Sequence, residues 1–158
     1  MDQGVAAVIG AIIGLIGGFV VAGLNYRQKA DELFFKALDY LGGGSQKRNL
    51  GISAIELYWD KRRHRDICIS LLSGSAIYLL RASKQGNAPH ELFNLDRIMN
   101  LLLSQSVLDS TQKSHYLRVR EAVDEALKAA SNRTDTSVGL DVDSKLLSDW
   151  KEHLDKLI

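Results

Sequence analysis

The chain has little cysteine, little proline and almost no net charge. It contains one Cys, one Pro and two Trp among 158 residues, and its 20 Lys and Arg nearly balance 19 Asp and Glu. A single Cys excludes a disulfide framework and a multi-cysteine zinc site. A net charge of +1 gives no general attraction for nucleic acid, so neither DNA nor long RNA is an expected partner. The length allows one compact domain plus an appendage.

Charged residues are also absent from 4–24, a run of 21 positions. As a helix this run would reach about 32 Å, enough to cross a hydrocarbon core of roughly 30 Å. The preceding Met1–Gln3 carries no Lys or Arg, which argues against a cleaved signal peptide. Because Arg27, Lys29 and Lys36 follow, the positive-inside rule predicts a single-pass anchor in the inner (cytoplasmic) membrane, with the N-terminus outside and the C-terminal part in the cytoplasm.

Small residues recur at every fourth position of this predicted transmembrane helix. Such a stripe lets a neighbouring backbone approach closely, so we expect the anchor to self-associate. The protein is then predicted to be a homo-oligomer, and a tetramer is the favoured size. The alternative is that glycine is simply common in transmembrane helices. The residues of the stripe are Ala6, Gly10, Gly14, Gly18 and Ala22.

Beyond the anchor, apolar residues recur at spacings of three and four, which predicts an all-α domain. We expect a transmembrane anchor over 1–25, a juxtamembrane helix with a glycine-rich hinge over 26–45, and a cytoplasmic bundle of five to six helices over 46–158. Pro89 is placed to open one helix, and Asp109 or Ser110 and Asp143 or Ser144 are placed to cap two others. The predicted helices cover 26–41, 46–63, 65–83, 89–108, about 110–130 and 144–158.

One cytoplasmic helix is unusually apolar. Residues 67–80 form a 14-residue uncharged run between Asp66 and Arg81. This run is shorter than the roughly 17–25 residues that cross a bilayer, so a central buried helix is favoured over a second crossing. A re-entrant or membrane-inserted role is the alternative.

Catalytic motifs are scarce. The four His residues are far apart and none belongs to HExxH, and GxSxG is absent. Cys68 lies in an apolar helix, where a buried and inert thiol is expected, and a free thiol agrees with a reducing compartment. Asp141 and Asp143 lack the glycine and distal glutamate of a calcium loop, so capping explains them better. We expect no enzyme, no metal and no bound cofactor.

Positive charge is concentrated in the half of the cytoplasmic part that is nearer to the anchor. Residues 26–65 hold nine Lys or Arg against five Asp or Glu, whereas 66–158 hold eleven against thirteen. The segment 42–49, GGGSQKRN, leads into a helix, so free backbone N–H groups, Lys47 and Arg48 could together hold a phosphate. The alternative is that the glycines form only a linker.

A second basic segment, Lys61–Arg65, follows two aromatic residues. Aromatic rings beside Arg suit a nucleobase that carries phosphates. The alternatives are that the basic block is a solvated turn or touches anionic lipid headgroups, and that Trp59 is a core residue. The predicted ligand-binding residues are Lys47, Arg48, Tyr58, Trp59, Arg62, Arg63, His64 and Arg65.

A glycine-striped N-terminal anchor joined to one small helical domain resembles, in architecture, the small membrane effectors of prokaryotic antiviral defence. The resemblance is closest to effectors of type III CRISPR systems that are gated by cyclic oligoadenylates. It implies a symmetric oligomer that binds a cyclic oligoadenylate, such as the tetra-adenylate, on its axis and perturbs the membrane lipid. The alternative function is a membrane-tethered adaptor for a protein partner, and a third option is a phage or plasmid protein of the holin kind.

Overall fold

The computed structural model describes residues 21–25, 27–29, 31–32, 34–36, 38–59, 64–81, 88–131 and 140–158. The chain divides into two compact units, Met1–Lys36 and Ala37–Ile158. In the first unit, the described residues from 21 to 36 are helical. Ala22 lies in this helical part and is exposed, whereas the other members of the small-residue stripe lie outside the described residues.

The membrane anchor stays a prediction. Among the residues that the structure describes, no helix combines the length and the apolar character that crossing a membrane requires. The predicted span 4–24 lies outside the described residues except for its last four positions.

The second unit is an all-helical bundle, which confirms the predicted all-α class for the described residues. After a helical turn at 38–41, its helices are α1 (Ser45–Tyr58), α2 (Arg65–Arg81), α3 (Pro89–Leu103), α4 (Ser110–Ser131) and α5 (Ser144–Leu157). Helix α3 packs against α1, α2 and α5, and α4 packs against α2 and α5. The apolar stripes of the helices meet in one core, whose largest buried members include Ile52, Ile69, Leu72, Leu95, Ile98, Met99, Leu102, Tyr116 and Leu147.

Two predicted helix starts are confirmed by their caps. The Asp109 carboxylate accepts a hydrogen bond from the Gln112 backbone N–H at 2.8 Å, and the Gln112 side chain accepts one from the Asp109 N–H. This reciprocal pair satisfies N–H groups at the start of α4. Asp143 caps α5 by accepting bonds from the N–H groups of Lys145 and Leu146.

Two predicted helix ends are wrong. Helix α1 ends at Tyr58 rather than at Arg63, and α3 ends at Leu103 rather than near Leu108. At the end of α3 the Ser104 N–H is shared among the carbonyls of the last turn, and the Ser104 hydroxyl donates to the Leu101 carbonyl. These bonds satisfy the terminal carbonyls and so end the helix early.

Helix α2, which carries the apolar run 67–80, packs within the bundle. It buries Cys68, Ile69 and Leu72, among others, against α3 and α4. Tyr78 and Ile67 lie on its exposed side. The burial of Cys68 confirms that part of the prediction made for this thiol.

Candidate functional site

The glycine segment 42–44 forms a tight turn before α1. The Gly43 N–H donates to the Tyr40 carbonyl at 3.1 Å, and the Gly44 carbonyl accepts the first helical bond from the Arg48 N–H at 2.9 Å. A Cβ at Gly43 would lie 2.8 Å from the Lys47 Cβ and 3.2 Å from the Tyr40 carbonyl oxygen, whereas one at Gly44 would meet nothing within 4 Å. Lack of space therefore requires glycine at position 43 but not at position 44.

Arg48 fastens this turn to α1. Its Nε donates to the Leu41 carbonyl at 3.2 Å and its Nη2 donates to the Gly43 carbonyl at 3.0 Å. Carbonyls at the end of a helix lack partners within the helix, and a cationic side chain satisfies them well. Arg48 thus acts as a cap for the helical residues 38–41, although it belongs to the next helix.

Glu91, in the first turn of α3, neutralises Arg48. Its Oε1 accepts a hydrogen bond from the Arg48 Nη1, and its Oε2 accepts one from the Asn94 Nδ2 at 3.2 Å. Asn94 also donates to the Ser45 carbonyl at 3.1 Å, so it connects α3 to the first residue of α1. Arg48 is 5% exposed and Glu91 is 2% exposed. A buried charge of this kind needs its partner, because the cost of desolvation is otherwise uncompensated.

A cavity of about 820 Å³ opens beside this pair. We call it the glycine-turn cavity. Its volume falls within the range of small-molecule sites, roughly 300–1,000 Å³. The Tyr78 ring lies on its wall, with its centroid 5.5 Å from the Arg48 Cζ. The described lining residues are Leu38, Asp39, Leu41, Gly42, Gly43, Gly44, Arg48, Ser70, Leu71, Gly74, Ser75, Tyr78 and Glu91.

The structure separates some of the residues that the sequence suggested as ligand-binding. Lys47 and Arg48 lie at the start of α1, whereas Tyr58 lies at its end. Eleven helical steps from Lys47 to Tyr58 place their backbones about 16 Å apart. One copy of the chain therefore does not bring the backbones of Lys47 and Tyr58 together at one small ligand. Lys47 is exposed, and Arg62 and Arg63 lie outside the described residues.

Trp59 is a core residue. Its ring therefore offers little accessible surface to the nucleobase that was predicted to stack on it. It is 7% exposed, and its Nε1 donates to the Ser104 hydroxyl at 2.9 Å. His64 is also buried and meets the Tyr58 ring edge to face, with 6.4 Å between the ring centroids. Half-buried Tyr58 is the more accessible of the two aromatic candidates.

Arg65 is half-buried at the start of α2. Its Nε is buried and has no hydrogen-bond partner among the described residues. Its positive charge acts on Tyr116, whose hydroxyl donates to the Leu102 carbonyl at 2.6 Å. Burial raises the pKa of Tyr116 far above its ordinary value, and the charge of Arg65 partly offsets this effect. Arg65 thus faces the bundle interior as well as solvent.

The described residues offer little support for a catalytic or metal site. Burial raises the pKa of the Cys68 thiol to about 11, so little thiolate forms at neutral pH. No group of three His, Cys, Asp or Glu in the described part of the chain is arranged to hold a metal ion. Asp143 serves as the α5 cap.

Sequence reasoning missed Glu91, Asn94 and Tyr78. A signal for the first was present, because Glu91 precedes Leu95, Ile98 and Leu102 at the spacings of a buried helical stripe. Arg48 stands in the same relation to Ile52, Ile55 and Trp59. A charged residue on a buried stripe indicates a paired charge rather than a solvated one.

Comparison of the chain with models of protein families, with curated proteins and with solved structures found no match.

Proposed function

We propose that this chain is a ligand-responsive membrane effector whose helical domain binds a polar nucleotide ligand through the glycine-turn cavity. One observation carries the proposal. Arg48 lines the cavity and at the same time binds the Leu41 and Gly43 carbonyls. A ligand that moves Arg48 therefore acts directly on the helical turn 38–41, which follows the first unit along the chain.

The ligand class we propose is a cyclic oligoadenylate, with the cyclic tetra-adenylate as the best candidate. The resemblance in architecture suggests this class, and the cavity offers a guanidinium, serine hydroxyls and an aromatic ring for phosphate, ribose and base. Four nucleotides make a larger ligand than one such cavity accommodates. Several copies, in a tetramer, would then each contribute a cavity to one ring.

Signal transmission in this proposal depends on two packings of the anchor. Ligand binding favours one position of residues 38–41, and the small-residue stripe of the predicted anchor then repacks and perturbs the membrane. A ligand shifts such an equilibrium only by its difference in affinity for the two states. Damage to the membrane would then arrest an infected cell.

The test is a titration of the full chain, reconstituted in dye-loaded vesicles, with cyclic tri-, tetra- and hexa-adenylate. Saturable binding of one ring together with dye release is the expected result. Tyr78→Ala should weaken binding and release, because Tyr78 lies on the cavity wall. Phe93→Ala is the matched control, since Phe93 is also an exposed aromatic with an Arg over its ring, at 5.6 Å, but does not line the cavity.

Three results would contradict this function. Folded chain that binds no ring overturns the ligand class, and dye release without any ligand favours the holin-like option. Equal losses in Tyr78→Ala and Phe93→Ala would show that the cavity is not the site.

The adaptor is the second candidate, and one observation favours it. Leu50 and Leu57 lie two turns apart on the outer side of α1 and are 61% and 78% exposed. Apolar side chains at this spacing suit a partner helix laid along α1. This function predicts that Leu57→Lys abolishes activity in cells while Tyr78→Ala does not.

A further inference from the structure

The Arg48–Glu91 pair forms part of the wall of the glycine-turn cavity, so both charges face the space that a ligand would enter. An arginine side chain has five N–H donors. The bonds to Leu41, Gly43 and Glu91 use one N–H each. Within the described part of the chain, two N–H groups of Arg48 remain after these bonds, one on each terminal nitrogen.

The charges of the wall explain why an anion would bind weakly to one copy in this state. The described lining contains one cation, Arg48, and two carboxylates, Asp39 and Glu91. Glu91 cancels the charge of Arg48 at close range, and the like charge of a phosphate near Glu91 is repelled. The same arginine would be a strong bidentate receptor for a phosphate if Glu91 moved away.

We infer that Glu91 is an internal competitor for Arg48: its carboxylate occupies the position that an anionic group of a ligand takes when the cavity is filled. The pair is then an autoinhibitory contact, and the ligand class is one that carries phosphate or a similar oxyanion. This inference rests on the proposed function, because it describes the same cavity. It adds that binding exchanges one ion pair for another and so weakens the contact between α1 and α3.

The test uses inorganic pyrophosphate as the probe. The full chain in detergent micelles is titrated by calorimetry at fixed ionic strength, as wild type and as Glu91→Gln. Glutamine keeps one oxygen that can accept from Arg48, replaces the oxygen that accepts from Asn94 with an NH2 group, and removes the negative charge. We expect Glu91→Gln to bind pyrophosphate about tenfold more tightly or better than wild type, and Arg48→Gln/Glu91→Gln to lose this gain.

The matched control is Glu56→Gln. Glu56 also pairs with an arginine of α3, Arg97, but this pair does not line the cavity. Glu56→Gln should bind pyrophosphate as wild type does. An equal gain in both variants would overturn the inference, because it would reflect net charge alone.

If Glu91→Gln does not fold, Glu91→Asp replaces it, since the shorter carboxylate holds Arg48 less well and should also raise affinity. Unchanged affinity in every folded variant at position 91 overturns the inference. The proposed function is judged separately. If the wild-type chain binds a cyclic oligoadenylate, the proposed function is supported whatever the Glu91 variants show. If Glu91→Gln binds pyrophosphate more tightly but the wild-type chain binds no cyclic oligoadenylate, the competition between Glu91 and an anion is supported and the proposed function is overturned.

Discussion

Among the Arg–Glu pairs that join helices of this bundle, Arg48–Glu91 and Arg81–Glu125 differ most in burial. Arg48 and Glu91 lie 43 positions apart and their side chains are 6% and 2% exposed, whereas Arg81 and Glu125 lie 44 positions apart and are 37% and 58% exposed. Arg81 binds both carboxylate oxygens of Glu125, at 2.6 and 2.7 Å. By geometry alone the exposed pair is the better formed.

Burial gives the two pairs different roles. Water and salt compete with the exposed pair, so its contribution to stability is small. In the buried pair, each charge depends on the other, and Arg48 also satisfies two carbonyls of the glycine turn. The Arg48–Glu91 pair therefore links the glycine-turn cavity to the packing of α1 against α3. The Arg81–Glu125 pair only adds to the contact between α2 and α4.

The largest expected effect comes from Arg48→Met. It leaves Glu91 charged and buried without its cation, and we expect a loss of about 3–5 kcal/mol in the free energy of unfolding. Arg81→Met, the matched variant, should lose less than about 1 kcal/mol. Urea unfolding of the full chain, followed by far-ultraviolet circular dichroism, measures both. Equal losses would show that burial does not separate the two pairs.

Gly43→Ala should have the next largest effect. The added methyl group would meet the Lys47 Cβ and the Tyr40 carbonyl oxygen, so the turn that presents the Gly43 carbonyl to Arg48 must shift. Overpacking of this kind costs about 1–3 kcal/mol. Gly44→Ala is the control and should lie close to wild type in the same unfolding assay. If neither substitution changes the free energy of unfolding, packing does not fix the conformation of this turn.

A double-mutant cycle measures the pairing directly. Arg48→Met and Glu91→Leu, singly and together, should give a coupling energy of about 0.5–3 kcal/mol. The cycle of Arg81→Met and Glu125→Leu should give at most about 1 kcal/mol, and this coupling should fall as salt is added. A larger coupling in the exposed pair would reverse the comparison.

The smallest effect concerns another exposed cluster. Hydrogen bonds from Lys128 and Lys151 lower the pKa of Asp124 from its ordinary value of 3.8 to about 2. Because the pKa is lower in the folded state, the stabilisation is present above about pH 4 and is lost as the pH falls toward 2. The carboxyl carbon shift of Asp124, followed by NMR against pH, reports this pKa.

Lys151→Met should raise the pKa of Asp124 toward its ordinary value. Lys145→Met, which changes an exposed lysine of the same helix, should leave it where it is. Titration of Asp124 near pH 4 in the unaltered chain would contradict the contacts seen in the structure.

Local chemistry explains how far the sequence predicts this fold. Buried stripes and helix caps depend on neighbours within one or two turns. The predicted stripe of Leu95, Ile98 and Leu102 and the predicted caps Asp109 and Asp143 are confirmed. The ends of α1 and α3 were predicted wrongly, and the residues just beyond them, Trp59 and Ser104, bind each other although they lie 45 positions apart.

The candidate site was predicted only in part for the same reason. The glycine segment and Arg48 were identified as a place for an anion, and the structure puts both on a cavity wall. The sequence alone does not show that Glu91 reaches Arg48 or that Tyr78 lies beside it.

Periodicity and capping by themselves determined that the described chain is helical, where most helices begin and which faces they bury, because these properties arise between residues close in sequence. Only the tertiary structure decided whether a charge is solvated, paired or free for a ligand. That outcome depends on which distant residue comes within hydrogen-bonding distance once water is excluded. Arg48 is a phosphate-binding candidate in the sequence, and in the fold it is a buried residue paired with Glu91.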